Sequence, residues 1–244
     1  MDIIKYSEFN EDEFQTPVNA FYYYFFINNT NGIYDFHIPS RRSERNLGYD
    51  FGNKKGIPLF LQYKVSDYYP ISTKSVLKKN RNQFGYDDRN GFFSFYLHRD
   101  NKTLTHLQHN ALFSLKNHNY YVAPLFYSRN QFYDFSRQCL LFGDYRSNIV
   151  YQINGRIKIF INHGFPIIND IIYIKPHNRI NDDNPHRYSF NILNETAFHS
   201  EPLQVENCYS FGNVYQSLLN DLQEKPISFF EIAKTSMTTI REFF

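Results

Sequence analysis

The chain has 244 residues, enough for one large domain or two small ones with a real core. Hydrophobic residues make up 42% and charged residues 20%, and 26 Phe with 21 Tyr exclude a disordered chain. The net charge of +2 argues for no particular partner, and the 27 Asn carry no mechanism. Two cysteines far apart, Cys139 and Cys208, make neither a disulfide framework nor a zinc spacing, so a reducing, cytoplasmic setting is expected. The N-terminus runs into an acidic stretch, unlike a signal peptide, and the longest apolar run, Phe21 to Ile27, is too short to span a bilayer. A soluble protein without a membrane partner follows.

In chain order, Thr16-Pro17 opens a helix, with Val18, Phe21, Tyr22, Phe25 and Phe26 on its core face. Asn28 to Gly32 ends it, and Tyr34 to His37 suits a short strand. Leu47 to Phe51 reads as a strand, Gly52 to Gly56 as a turn, and Ile57 to Val65 as the returning strand of a hairpin. Ser72 to Asn82 is a basic, helical stretch and Phe92 to His98 a strand. Thr103 to Lys116 is a helix, Tyr120 to Phe126 a buried strand, and Asn130 to Leu141 a helix. Val150 to Ile161, turning at Asn154-Gly155, is a strong hairpin signal. Ile171 to Ile174 and Tyr188 to Leu193 are further strands; Asn207 to Gln223 and Ile227 to Phe244 look helical. The division is a core over 1–145 and an α+β extension over 146–244 packed on it.

Charge is uneven. Arg41 to Arg81 holds ten Lys/Arg and three acids, a net +7, which leaves −5 for the remainder. Such a block suits a polyanion-facing surface, or equally a solvated lysine-rich loop. Arg41, Arg42, Lys74, Lys78, Lys79 and Arg81 are its candidate nucleic-acid contacts.

The most specific pattern lies inside this block: Gly48-x-Asp50, a turn, then Leu59-Phe60-Leu61-Gln62-Tyr63-Lys64. Alternation puts Gln62 and Lys64 on one face of the strand and Leu61, Tyr63 and Val65 on the other. An amide and an ammonium interrupting an apolar run are costly to bury without partners. Asp50, on the preceding strand, can place its carboxylate beside them. A carboxylate, an amide oxygen and a lysine suit metal-assisted phosphodiester hydrolysis, in which oxygen ligands hold a hard cation and the ammonium steadies developing negative charge.

These residues resemble the core of the PD-(D/E)XK nuclease superfamily, in the Mrr-like restriction endonuclease branch where Gln replaces the second acid. The resemblance covers residues 8 to 126 and its motif residues 44 to 64. It implies an α/β fold with a restriction-endonuclease-like α-β-β-β-α-β core, dependence on Mg²⁺ (or Mn²⁺), and cleavage of DNA in restriction or antiviral defence. Asp50 would be the metal-binding acid, Gln62 the residue in the second-acid position, and Lys64 the catalytic lysine. The family often adds a Glu from the first helix; Glu13 and Glu44 are the two candidates for a further metal ligand and catalytic acid. No ATPase signature or recognition domain is visible, so a partner subunit for target choice or activation, or a homo-oligomer, is expected. A catalytically inactive nucleic-acid-binding subunit is the alternative.

His106-x-x-His109 reads as a surface or partner-contacting pair, since no HExxH arrangement or third ligand accompanies it. His186, His199 and Glu201 fall in loop-like sequence. Cys139 reads as core.

Overall fold

The computed structural model describes residues 3–29, 34–86, 88–101, 103–115, 118–145, 149–153, 156–160, 170–191, 196–200 and 203–224. Six helices and twelve strands form a mixed α/β fold: α1 (Glu11–Asn29), β1 (Phe36–His37), α2 (Arg41–Leu47), β2 (Phe51–Asn53), β3 (Leu59–Tyr63), β4 (Asp67–Tyr69), α3 (Val76–Gln83), β5 (Phe92–Tyr96), α4 (Leu107–Ser114), β6 (His118–Pro124), α5 (Arg129–Tyr145), β7 (Ile149–Ile153), β8 (Arg156–Phe160), β9 (Ile171–Ile174), β10 (Arg187–Phe190), β11 (Thr196–Ser200), β12 (Leu203–Ser210) and α6 (Phe211–Glu224). No helix among the described residues is long and apolar enough to cross a membrane.

Ten strands make one sheet in the order β1-β2-β3-β6-β9-β12-β11-β10-β5-β4, while β7 and β8 pair separately. Among the described strands of the large sheet only β3 and β6 run parallel. Strands of the second half of the chain therefore lie inside this sheet, between β6 and β5.

The sheet cannot be flat. Residues 63 to 67 reach at most about 14 Å, yet β3 and β4 stand seven strand intervals apart, roughly 34 Å in a flat sheet. The sheet curls until its far edge returns to β3 and β6. The rings of Phe95 on β5 and Tyr121 on β6 accordingly meet at 5.7 Å, and Tyr68 on β4 stacks on Tyr127 at 5.3 Å.

The curl gives two cores. On the convex face α1, α5 and α6 cover Phe51, Leu59, Leu61, Tyr63, Tyr120, Val122 and Tyr173. Inside the curl, Phe60, Phe93, Phe95, Tyr121, Ile172, Ile174, Tyr188 and Phe190 pack together with Leu112 of α4. Each fully buried side chain of this kind contributes about 1.5–3 kcal/mol. Strand β3 is buried on both faces; Leu59, Leu61 and Tyr63 serve the convex core, and Phe60 with Gln62 points into the curl.

Several elements differ from the sequence reading: β2 covers Phe51–Asn53 rather than Leu47 to Phe51, so Gly52 and Asn53 belong to a strand and not to the turn, and β4 and β11 form where no strand was expected. Helix α1 begins at Glu11, not at Thr16: the Asn10 side chain accepts from the Glu13 amide, and Glu13 accepts from the Asn10 amide, a reciprocal cap that leaves Pro17 inside the helix. Residues 41–47 are helical rather than leading into a strand; Gly48 closes α2 in the left-handed region at φ 80°. The polar sequence RRSERN has no apolar stripe to announce this helix. Residues 207–210 belong to β12, so α6 starts only at Phe211. The β7–β8 hairpin forms with Ile153 opposite Arg156; its Asn154-Gly155 turn, and the helix expected over Ile227 to Phe244, lie outside the described residues.

Candidate functional site

The antiparallel register of β2 and β3 pairs Phe51 with Leu61; continued by one residue, it sets Asp50 across from Gln62. Asp50 Oδ2 accepts the Tyr63 backbone N–H at 2.7 Å, and the Asp50 N–H donates to the Leu61 carbonyl at 2.8 Å. The aspartate is thus clamped to the strand that carries the other two motif residues. Lys64, just past the end of β3, donates its backbone N–H to Val122 of β6, so the motif sits where the two parallel strands meet. Asp50, Gln62 and Lys64 are 8%, 1% and 7% exposed.

Neither polar atom of the Gln62 amide has a hydrogen-bond partner among the described residues, although both are buried. An unmet buried polar group costs about 1–3 kcal/mol. Asp50 also suffers from burial, which pushes its carboxyl up to about 7 against the opposing pull of Lys64 and the Tyr63 amide. Lys64 is held charged: burial works to lower its pKa, but Glu11, Asp50 and Glu44 outweigh it and raise it. Its Nζ lies 3.2 and 3.3 Å from the two carboxylate oxygens of Glu11.

Glu11 is the residue that sequence reasoning missed. Of the two acids expected to approach Asp50, Glu13 is turned away: it binds Arg129 at 2.6 Å and caps α1, and Arg129 foremost holds its carboxyl below the usual range. Starting the helix at Thr16 hid Glu11, the partner of Lys64, because it becomes the first residue of α1 only once Asn10 is recognised as the cap. Glu44, on α2, is half-buried; burial raises its pKa, opposed by Arg41 and Lys64, and its charge reaches Asp50. His98, just beyond β5, also borders the site: partial burial and then the charges of Lys64 and Arg45 lower its pKa.

The expected basic surface divides. Arg41 and Arg42 are exposed on α2, Arg41 pairing with Asp12. Lys74 and Lys79 are exposed around α3; Lys78 donates to the Ile71 carbonyl. Arg81 is a correction: it is fully buried, pairs with Asp88 at 2.7 Å, and donates to Ser189, so no phosphate can meet it. Its neighbours Tyr86 and Phe92 flank the guanidinium, and the site needs Arg for its planar fork rather than for a surface charge.

The histidines are also corrected. His106 and His109 are buried, not a surface pair. His109 Nε2 donates to the Asn178 carbonyl at 3.0 Å, so its Nδ1 accepts the Tyr121 hydroxyl at 2.9 Å. His186 is buried and 2.7 Å from Asp182. Cys139 is core, its thiol pushed up to about 12 by burial. His199 lies on β11 rather than in a loop, opposite Tyr188 of β10 and Gln204 of β12, and Glu201 lies outside the described residues.

Among the described residues no three His, Cys, Asp or Glu groups gather as a metal cage. Oxygen donors are nevertheless present in the Asp50 carboxylate and the unpartnered Gln62 amide, and Mg²⁺ commonly binds through one or two carboxylates plus waters. The donor set fits a hard cation and no softer one. Comparisons with protein-family models, curated proteins and solved structures give no match to this chain.

Proposed function

We propose that the chain is a Mg²⁺-dependent endonuclease that cleaves DNA phosphodiester bonds, with a role in restriction or antiviral defence. The observation that carries this reading is the buried Gln62 amide, left without a partner between a clamped Asp50 and a charged Lys64. Gln62 is the one described residue whose amide leaves both a donor and an acceptor unmet, and such a group calls for a partner from outside the protein, such as an ion or water. The element order also supports it. Taken as α1-β1-β2-β3-α4-β6, the elements can be read in the α-β-β-β-α-β order of restriction-endonuclease-like cores, with α2 inserted between β1 and β2 and with β4, α3 and β5 inserted before α4.

Asp50 and the Gln62 amide oxygen would hold the cation, with Glu44 as the further acid. A bound Mg²⁺ polarises the phosphoryl group and lowers the pKa of its water. Lys64 supplies a positive charge that steadies the attacking water and the charge that develops on the phosphoryl oxygens. Glu11 orients that ammonium, and its negative charge keeps Lys64 protonated. Burial strengthens each of these interactions relative to water.

A second reading is an inactive nucleic-acid-binding subunit on the same fold, favoured by the lack of a three-acid cage among the described residues. Incubation of supercoiled plasmid with the protein separates the two. Nicking with Mg²⁺ or Mn²⁺ that EDTA abolishes supports the nuclease; DNA retention without nicking under both metals supports the binding subunit.

A further inference from the structure

The motif residues are buried, so a phosphodiester reaches them only if something above them moves. Three segments border them: the start of α1 with Glu11 and Asp12, α2 with Arg41, Glu44 and Arg45, and the turn after β5 with His98 and Asp100. Helix α1 is fixed by Phe14, Val18 and the aromatic residues that follow them in the convex core. The turn is fixed by its own bonds: Asp100 accepts from the Thr103 amide at 2.9 Å, its N–H donates to the Thr105 carbonyl, and the Leu104 N–H returns to the Asp100 carbonyl.

Helix α2 is built differently. None of its seven residues is buried. Its ends are anchored, by buried Pro39 on one side and by Gly48 on the other. A Cβ on Gly48 would lie 2.2 Å from the Leu112 amide nitrogen, so that end is locked against α4. Between the anchors two ion pairs hold the helix down. Arg41 pairs with Asp12 of α1, and Arg45 Nη1 lies 2.8 Å from Asp100 Oδ2. The first is exposed on both sides and contributes little. The second joins a half-exposed arginine, 53% accessible, to a carboxylate that is 5% accessible, and is the stronger.

We propose that α2 is a strap across the candidate site, latched by Arg45–Asp100 and Arg41–Asp12, and that a polyanion opens it by taking both arginines from their acids. Phosphate oxygens bind guanidinium as carboxylates do, in the same bidentate fashion. A nucleic-acid strand offers them to Arg41 and Arg45 together, at a spacing of one helical turn, while Asp12 and Asp100 sit on two separate segments. The ligand that the site would process is then also what uncovers it, Glu44 moving out with α2 and rejoining Asp50 when the strap closes over the bound strand, and small monoanions are turned away. The inference rests on the Asp50–Gln62–Lys64 pocket being where a phosphodiester is handled, but its test does not use cleavage.

The test is hydrogen exchange of the α2 amides, with the Glu44 N–H, which donates to Ser40, and the Gly48 N–H, which donates to Glu44, as reporters. The probe is inorganic polyphosphate, with NaCl at matched ionic strength as control and no divalent metal. Arg45→Gln releases the stronger latch from its exposed side and leaves Asp100 bonded to Thr103. The expected result is exchange of these two amides about tenfold faster in Arg45→Gln, with β3 and β6 amides unchanged. Polyphosphate brings the wild-type protein toward the variant's rate, beyond the effect of NaCl. Unchanged exchange in the variant, or slower exchange of α2 with polyphosphate, overturns the strap. Opening in a protein that never nicks DNA keeps the strap and removes the nuclease reading.

Discussion

Asp50 Oδ2 accepts the backbone N–H of Tyr63 at 2.7 Å, and this one bond joins the carboxylate to the strand between Gln62 and Lys64. A side chain here takes the place of a backbone carbonyl in the ladder. The aspartate is therefore fixed to the strand segment that carries Gln62 and leads into Lys64.

Separate changes of the three nearby glutamates distinguish structure from chemistry. Glu11→Gln removes the nearest negative charge from Lys64, and DNA cleavage is expected to fall at least tenfold with little loss of stability. Glu44→Gln is expected to weaken Mg²⁺ affinity. Glu13→Gln is expected to leave cleavage within twofold and to lower thermal stability only slightly, since Gln still closes the helix cap and only the charged partner of Arg129 is lost. Single-turnover rates, Mg²⁺ titration and thermal melts on the three variants check this.

Gly48 carries two demands at once, a left-handed backbone and the absence of a Cβ against the α4 backbone. Gly48→Ala is expected to destabilise the fold by more than about 3 kcal/mol, beyond the roughly 1–2 kcal/mol of the left-handed conformation alone. Chemical denaturation measures it. A loss below about 1 kcal/mol would mean that α2 and α4 separate easily.

The buried histidines make stability depend on pH. Burial takes His109 from 6.5 to about 3 and His177 from 6.5 to about 4. Both are neutral in the folded chain and bind protons more readily when it unfolds. Their cost is absent above pH 6.5 and grows as the pH falls from there toward 4. At pH 5 it amounts to about 2 kcal/mol for each. Urea midpoints are expected to fall between pH 7 and pH 5, and to fall less in His109→Gln.

The basic block separates in the same way. Neutralising Lys74 and Lys79 is expected to lower the slope of log binding constant against log salt by about 0.9 for each phosphate that no longer meets a lysine. Arg81→Gln is expected to cost about 3–5 kcal/mol of stability by leaving Asp88 buried without its charge partner. Fluorescence anisotropy at several salt concentrations, paired with melts, distinguishes a phosphate-binding lysine from a structural ion pair.

Much of the fold is legible in sequence because periodicity reports burial. Leu59-Phe60-Leu61-Gln62-Tyr63-Lys64 reads as a strand with two polar residues on one face, and that is how β3 is built. Residues whose roles come from distant partners are not legible. Arg81 looks like one more surface cation until Asp88 and Ser189 enclose it. His106 and His109 look exposed until the curl of the sheet brings the 178–186 segment over α4. The curl itself has no local signature; it appears only because residues 64–66 connect strands at distant places in the sheet. Glu11 is hidden by a cap that uses Asn10 where Thr16-Pro17 offers a more familiar start.

The most direct measurement of the central claim is the single-turnover cleavage rate of one DNA duplex with Mg²⁺, for the wild-type chain and for Lys64→Met, with DNA affinity and thermal stability recorded on the same samples. Methionine keeps the buried stem and removes the charge. Cleavage by the wild type, reduced at least 100-fold in the variant while affinity and folding persist, is the expected result. Equal rates in the two proteins, or no metal-dependent cleavage by the wild type, would contradict it.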